Sequence, residues 1–142
     1  MFSKEESKRL RQEFWISFGK SFPRKWILYH TKIKDFSFKF HFDTKEAMVS
    51  MDIENQDLGK RIELWEKLIS LRSTLTDDYL PNIQFNDSVV LENGKEISRI
   101  WVSKGQVSIH NKNTWRETME FLNDNMLQFE EFFKEYNIIF LD

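Results

Sequence analysis

The chain has 142 residues, a formal net charge of −2, 40% hydrophobic and 31% charged residues, and no cysteine. This length suits one hydrophobic core, so residues 1–142 are predicted to form a single domain. The absence of cysteine excludes a disulfide, a thiol nucleophile and a thiolate metal site. A charged N-terminus and the lack of a long apolar run predict a cytoplasmic protein that spans no membrane.

Charge is distributed unevenly along the chain. Residues 1–45 carry 11 Lys and Arg against 5 Asp and Glu, a balance of +6, whereas the remaining 97 residues carry 10 against 18, a balance of −8. The basic and acidic parts can pair within one fold or between two copies, which is the simpler expectation. The alternative is that the basic part attracts an anionic partner.

The first predicted element is an amphipathic helix that ends near residue 19. Ser3 and Glu6 have the spacing of a capping box. The apolar stripe repeats at steps of four: Leu10, Phe14 and Phe18. The next stretch, SFPRKWILYHTKIKD at residues 21–35, breaks the helical period at Pro23 and is rich in β-formers. A short strand or an extended approach is predicted there.

The stretch FSFKFHFDTKEAMVSMDIEN, residues 36–55, alternates apolar and polar residues and predicts a β-hairpin. Its apolar face is formed by eight residues: Phe36, Phe38, Phe40, Phe42, Ala47, Val49, Met51 and Ile53. Side chains two apart on a strand share a face, so this face is predicted to point into the core.

The polar positions of this hairpin include four residues of the types found in metal and acid/base sites: His41, Asp43, Asp52 and Glu54. Pairing Phe42 with Ala47 across the turn sets His41 and Asp52 four residues apart along the strand, roughly 13 Å at about 3.3 Å per residue. We therefore predict a solvated or helix-covered polar face whose groups stay apart. An enzyme would instead need acids close together, such as Asp52 and Glu54 with Lys39.

The second half of the chain is similar in plan but not visibly in sequence, so no repeat is inferred. A largely buried helix with two adjacent apolar stripes is predicted at about residues 57–75. The pair Asn93-Gly94 predicts a hairpin with a type I′ turn. A final helix is predicted to start with a capping box at Thr114 and Glu117 and to lie across the sheet.

The order of elements is therefore α-β-β-β-α-β-β-α. Hairpins connect the paired strands, whereas parallel strands would need helical crossovers between them. The sequence predicts an α+β fold in which a mainly antiparallel sheet of four to five strands packs with three helices.

The segment 24–34 interleaves cations with aromatic residues, as a phosphate-binding and base-stacking surface would. The sequence pI of about 6.0 is low for a nucleic-acid-binding domain. Trp26 and Tyr29 also suit a hydrophobic core, and this alternative stays open.

Arg99 is the second candidate binding residue, because it lies in a predicted strand with apolar neighbours. It can grip a phosphate or carboxylate bidentately, but a structural ion pair with a helix acid is the favoured expectation. The histidines lack the spacing of zinc ligands, and no nucleotide-binding or serine-hydrolase motif is present. We expect no metal and no cofactor.

Several longer stretches carry a family resemblance: LRQEFWISFGKSFPRKWILYHTKIKDFSFKF, AMVSMDIEN, LWEKLISLRS, ISRIWV and NTWRETMEFLNDNM. Together they resemble the bacterial domain of unknown function family 4268, in its short standalone form. Longer members look like fusions to a PD-(D/E)XK nuclease-like domain, which implies a supporting role near nucleic-acid processing or defence. This chain lacks the nuclease half, and the resemblance supplies no catalytic residues.

We therefore expect a non-catalytic binding or accessory domain. The first hypothesis is a protein-interaction module that binds a protein partner or a second copy of itself as a homodimer. The alternative is a nucleic-acid-binding accessory domain linked to restriction or defence, which uses the segment 24–34. The residues expected to contact a partner are Arg24, Lys25, Trp26, Tyr29, Lys32, Lys34 and Arg99.

Overall fold

The computed structural model describes residues 2–141 and shows an α+β fold with a four-stranded antiparallel sheet in the order β1-β2-β4-β3. The strands are β1 (Phe36–Phe42), β2 (Glu46–Ile53), β3 (Gln84–Val90) and β4 (Glu96–Gly105). The α-helices are α1 (Lys4–Ser21), α2 (Leu58–Ser70), the short α3 (Arg72–Thr74) and α4 (Trp115–Tyr136). A π-helical turn follows α3 at Leu75–Tyr79, and 3-10 helices form at Lys112–Thr114 and Asn137–Phe140. The predicted fold class is confirmed.

Helix α1 forms where the capping box and the apolar spacing predict it. The Ser3 hydroxyl accepts a hydrogen bond from the Glu6 backbone N–H at 3.1 Å. The whole predicted stripe is buried: Leu10, Phe14 and Phe18. Phe14 packs against Phe42 of β1 with ring centroids 4.6 Å apart. Burying each such ring contributes about 1.5–3 kcal/mol, so this stripe fixes α1 on the sheet.

The strands β1 and β2 pair in the predicted register, with Phe42 opposite Ala47 and Ser37 opposite Asp52. Seven of the eight predicted apolar residues are buried, and Phe40 is half-buried. Their face meets α4, where Phe38 lies 6.0 Å from Phe129 between ring centroids. The core therefore lies between this face of the sheet and the helices.

Residues 22–35 form no strand and run along the outer edge of β1. The Leu28 carbonyl accepts a hydrogen bond from Phe38 N–H at 3.1 Å, and the Thr31 hydroxyl donates to the Phe36 carbonyl at 2.7 Å. Leu28, Lys32 and Asp35 have φ values of 44°, 67° and 59°. The predicted short strand is absent, because repeated left-handed residues break a ladder of strand hydrogen bonds. The segment covers the strand edge instead.

Helix α2 is shorter and more exposed than predicted. It ends at Ser70, and the chain continues through α3 and the π-helical turn. Leu64 and Leu68 of one apolar stripe are buried, but Leu58 and Ile62 of the other stripe are 55% and 46% exposed. The prediction of a largely buried helix is therefore wrong for the second stripe. No helix within residues 2–141 is long and apolar enough to span a bilayer.

The predicted hairpin between β3 and β4 forms, but its turn differs from type I′. Leu91 N–H donates to the Lys95 carbonyl at 2.9 Å, and Gly94 N–H donates to the Leu91 carbonyl at 2.8 Å. Gly94 has φ 84°, whereas a type I′ turn would also need a positive φ at Asn93, which Asn93 does not have. The turn is a three-residue loop that places glycine in the left-handed position.

The predicted capping box of the last helix is wrong, although α4 does start at Trp115. The Thr114 side chain makes no capping hydrogen bond. Its hydroxyl instead accepts from Ser108 N–H at 3.1 Å and lies 2.7 Å from the Asn111 carbonyl oxygen. Thr114 thus closes the loop before the helix, because the loop offers its hydroxyl both a donor and an acceptor.

Candidate functional site

Arg24 and Trp26, two of the predicted binding residues, hold the segment 22–35 on the fold. Arg24 Nη2 lies 3.2 Å from Glu130 Oε1, and Glu130 Oε2 accepts a hydrogen bond from Ile27 N–H at 2.7 Å. Glu130 lies on α4 and is buried. The Arg24 guanidinium also sits 5.1 Å from the centroid of Trp26, which packs edge-on against Phe40. Both residues are therefore engaged within the chain.

Arg99, the third of these residues, forms a bidentate ion pair with Asp52. Arg99 Nε and Nη2 donate to the two carboxylate oxygens of Asp52 at 2.8 and 2.9 Å. The Asp52 side chain is 0% exposed. Hydrogen bonding to Asp52 raises the pKa of Arg99 despite its partial burial. The predicted structural ion pair of Arg99 is present. Its acid lies on β2, so the prediction of an acid on a helix is wrong.

Lys39 extends this pair into a group that we call the Asp52 network: Lys39, Asp52, Glu54, Lys95 and Arg99. Lys39 Nζ lies 3.3 Å from Asp52 and 3.0 Å from Glu54, and Lys95 Nζ lies 3.6 Å from Glu54. Burial lowers the pKa of Lys39, but hydrogen bonds and charges from Glu54 and Asp52 outweigh it and leave that pKa raised. The prediction that the ionisable groups of the hairpin stay apart is wrong for Asp52 and Glu54, which share the Lys39 ammonium.

The network explains why the proximity of these acids does not make a general base. Both Asp52 oxygens already accept hydrogen bonds from Arg99, and the side chain is fully buried. The buried carboxylate accepts hydrogen bonds from Arg99, lies 3.3 Å from Lys39 Nζ and has no surface that a substrate could contact. Asp52 is therefore a structural residue that joins β1, β2 and β4.

His41 lies outside the Asp52 network, but the prediction that it stays apart from the other ionisable groups of the hairpin is wrong, because it contacts Asp43. Its Nε2 lies 2.8 Å from Asp43 Oδ2 at the hairpin turn. Burial raises the pKa of Asp43, but hydrogen bonds from His41 and from the Lys45 and Glu46 N–H groups outweigh it and lower that pKa. Within residues 2–141, no three or more His, Cys, Asp or Glu residues are grouped so that they could hold a metal ion.

The other four predicted residues are exposed: Lys25, Tyr29, Lys32 and Lys34. Lys32 and Lys34 line a cavity of about 560 Å³ together with Lys60 of α2. Tyr29 is 70% exposed and lines a different groove, beside β1. The structure therefore splits the predicted segment between two sites.

Two shallow grooves meet at Trp15 and form the surface that we call the Trp15 surface. The larger, about 840 Å³, is lined by Lys8, Arg11, Gln12, Trp15 and Ile16 of α1. The smaller, about 270 Å³, is lined by Trp15, Leu28, Tyr29, Phe38, Lys39 and Phe40. Ile16 is 59% exposed. Aromatic, aliphatic and cationic side chains are thus accessible side by side.

The α1 part of this surface was not predicted as a site. The sequence does indicate an accessible apolar site on α1, because Trp15 and Ile16 fall outside the stripe of Leu10, Phe14 and Phe18. Ile16 is 59% exposed, whereas Trp15 is half-buried and packs against Phe18 and Phe40, so Ile16 is the apolar residue of this helix side that the core leaves accessible.

The fold and this surface define a small α+β domain with an exposed basic and aromatic side. A family model described as Domain of unknown function (DUF4268) matches residues 10–137, and the chain belongs to that family. The resemblance predicted from the sequence is confirmed over nearly the whole chain. Comparisons with curated proteins and with solved structures give no match.

Proposed function

We propose that this domain is a non-catalytic accessory domain that binds a protein partner through the Trp15 surface. The observation that supports this function is the exposure of Ile16, 59%, in a groove shared with Trp15. Apolar side chains clustered on a surface and rimmed by charge mark interaction sites. Aromatic residues and arginine are also the residue types that contribute most binding energy at interfaces.

The charges of the Trp15 surface indicate an acidic partner. Lys8 and Arg11 are exposed cations of its larger groove, whereas Lys39 of the smaller groove is paired with Asp52 and Glu54. Glu13 of the same helix is engaged by Lys112, with Nζ 2.8 Å from the carboxylate. Complementary charge steers association and selects partners. The partner segment should therefore combine acidic and aliphatic side chains.

Selection from a random peptide library tests this function without knowledge of the natural partner. We expect the immobilised domain to enrich acidic, aliphatic peptides. Ile16→Glu should weaken their binding roughly thirtyfold, the effect of losing a central interface residue. Ile138→Glu is the matched control, because Ile138 is 76% exposed and lies outside this surface. Failure to enrich, or equal binding by both variants, would contradict the proposal.

The partner is a second copy if the domain assembles on its own. Sedimentation velocity over a range of protein concentrations would then show a dimer that Ile16→Glu dissociates. A monomer at all concentrations would restrict the proposal to a different protein.

A second candidate function is binding of single-stranded nucleic acid through Tyr29 of this surface and the exposed cations of the segment 24–34 and α1. Tyr29 is 70% exposed, and Lys25 and Arg11 are exposed cations of the same basic part of the chain. Exposed rings stack on bases while cations contact phosphates. The resemblance to family members with a nuclease-like domain also supports this candidate.

Fluorescence anisotropy with a labelled single-stranded oligonucleotide tests this second candidate. Affinity should fall steeply between about 50 and about 200 mM salt, and Lys25→Ala should reduce the salt slope by about 1. Tyr29→Ala should weaken binding at every salt concentration, since a base would lose its stacking partner. Lys134→Ala, on exposed α4 surface, is the control. Absence of binding at low salt would remove this candidate.

A further inference from the structure

The cavity that contains Lys32 and Lys34 has the size of a small-molecule site. Its volume is about 560 Å³, within the roughly 300–1,000 Å³ typical of ligand pockets. Three separate parts of the chain form its walls: residues 32–35, residues 55–64 and residues 140–141. It shares no residue with the Trp15 surface.

The cations of this cavity favour an anionic ligand. Lys32, Lys34 and Lys60 line it, against the carboxylates of Asp35 and Asp57. Asp57 Oδ1 is partly used, because it accepts a hydrogen bond from Lys60 N–H at the start of α2. Among residues 2–141, the Lys60 ammonium has a distant, exposed ion-pair contact with Glu63, at 3.9 Å, and no closer one. A phosphate could therefore gain charge-assisted hydrogen bonds from more than one lysine.

Asn55 adds a requirement for a hydrogen-bond donor. It lines the cavity and is 7% exposed, and its Oδ1 is a buried atom that accepts no hydrogen bond from residues 2–141. Its Nδ2 lies 3.5 Å from the Lys34 carbonyl oxygen. A buried polar atom without a partner is unusual, and a ligand donor is one way to satisfy it.

Apart from Gln56, the remaining lining residues are apolar. Ile33, Leu64 and Phe140 are among them. Leu64 and Phe140 are almost fully buried, so they form a floor beneath the charged rim. A flat apolar group with polar edges fits against such a floor.

We propose that this cavity binds a mononucleotide. The phosphate would contact the three lysines, the base would pack against Ile33, Leu64 and Phe140, and an amino or hydroxyl donor would reach Asn55. Inorganic phosphate or a nucleoside alone meets only part of these requirements. The proposal is independent of the partner-binding function, because the two sites use different residues.

Isothermal titration calorimetry of the full chain tests the proposal, with AMP, GMP, CMP and UMP, their nucleosides and inorganic phosphate as probes. We expect at least one mononucleotide to bind about tenfold more tightly than its nucleoside or inorganic phosphate. Lys60→Ala should weaken that binding about tenfold. Asn55→Asp, which keeps the side-chain size and adds a negative charge, should also weaken it.

Lys20→Ala is the control, because Lys20 is exposed on α1 away from the cavity. Its nucleotide affinity should equal that of the unsubstituted chain. No binding of any mononucleotide would overturn the proposal. Equal affinity for inorganic phosphate and mononucleotide would also overturn it, as would equal effects of Lys60→Ala and Lys20→Ala.

Discussion

The Asp52 carboxylate shows how a single residue can look functional in a sequence and be structural in the fold. It is fully buried between Arg99 and Lys39, on the face of the sheet opposite the phenylalanines. Removing one partner from a buried ion pair leaves an uncompensated charge in a poorly solvated place. The stability of the sheet should therefore depend on this pair.

Arg99→Ala should lower the free energy of unfolding by about 3–5 kcal/mol, because Asp52 would lose its bidentate partner. Urea denaturation measures this change. The matched control is Arg116→Ala, whose side chain is 93% exposed and pairs with Glu120 one helical turn away. That variant should change stability by less than about 1 kcal/mol. Similar losses in both variants would show that Arg99 does not serve a buried charge.

Lys39 should make stability depend on alkaline pH. Its pKa in the folded state is raised above the usual 10.5, chiefly because Glu54 and Asp52 outweigh its burial. The stabilisation is therefore complete below about pH 10.5 and is lost as pH rises through the higher folded-state pKa. Lys39→Met should remove this part of the alkaline loss, measured by urea midpoints over pH. Parallel pH profiles for Lys39→Met and the unsubstituted chain would contradict the assignment.

At the scale of elements, one side chain of α4 anchors the first part of the segment 22–35. Glu130 is 1% exposed and binds both Ile27 N–H and the Arg24 guanidinium. The segment has no strand or helix of its own, and its bonds to β1 and its surroundings lie further along, at Leu28, Thr31 and Asp35. Losing this anchor should loosen the segment before the sheet is affected.

Glu130→Gln should increase amide hydrogen exchange at Ile27 and lower global stability by about 1.5–3 kcal/mol, the contribution of hydrogen bonds to a charged group. Hydrogen exchange resolved by residue measures the local effect. Glu131→Gln is the control, because Glu131 is the exposed neighbour on the same helix. Unchanged protection at Ile27 in Glu130→Gln would show that other contacts hold the segment.

The elements that could be predicted from sequence are those whose partners are close in the chain. The first hairpin was predicted from its period-two alternation and short turn, and its predicted register is confirmed residue by residue. The segment 22–35 could not be predicted, because its anchor Glu130 lies 103 residues beyond Ile27. The exposure of one apolar stripe of α2 could not be predicted either. Periodicity shows which faces of a helix are apolar but not which of them meets the sheet.

At the scale of the whole molecule, the basic first part of the chain forms one side of the fold. Residues 1–45 supply α1, the segment 22–35 and β1, which pack against one another. Pairing with the acidic part occurs between Arg24 and Glu130 and between Lys39 and the acids of β2 and its end, whereas Lys8 and Arg11 stay exposed. The expected pairing of basic with acidic residues within one fold therefore accounts for only some of the basic residues. The exposed remainder gives the Trp15 surface its charge.

Indole N–H signals in nuclear magnetic resonance spectra give the most direct test that a macromolecular partner docks on the Trp15 surface. The chain has 5 tryptophans, and they report on different parts of the fold. On titration with an enriched acidic peptide or an oligonucleotide, we expect the Trp15 signal to move and those of Trp65 and Trp101 to stay. Movement of Trp65 or Trp101 with a stationary Trp15 would place the partner elsewhere and contradict the proposed function.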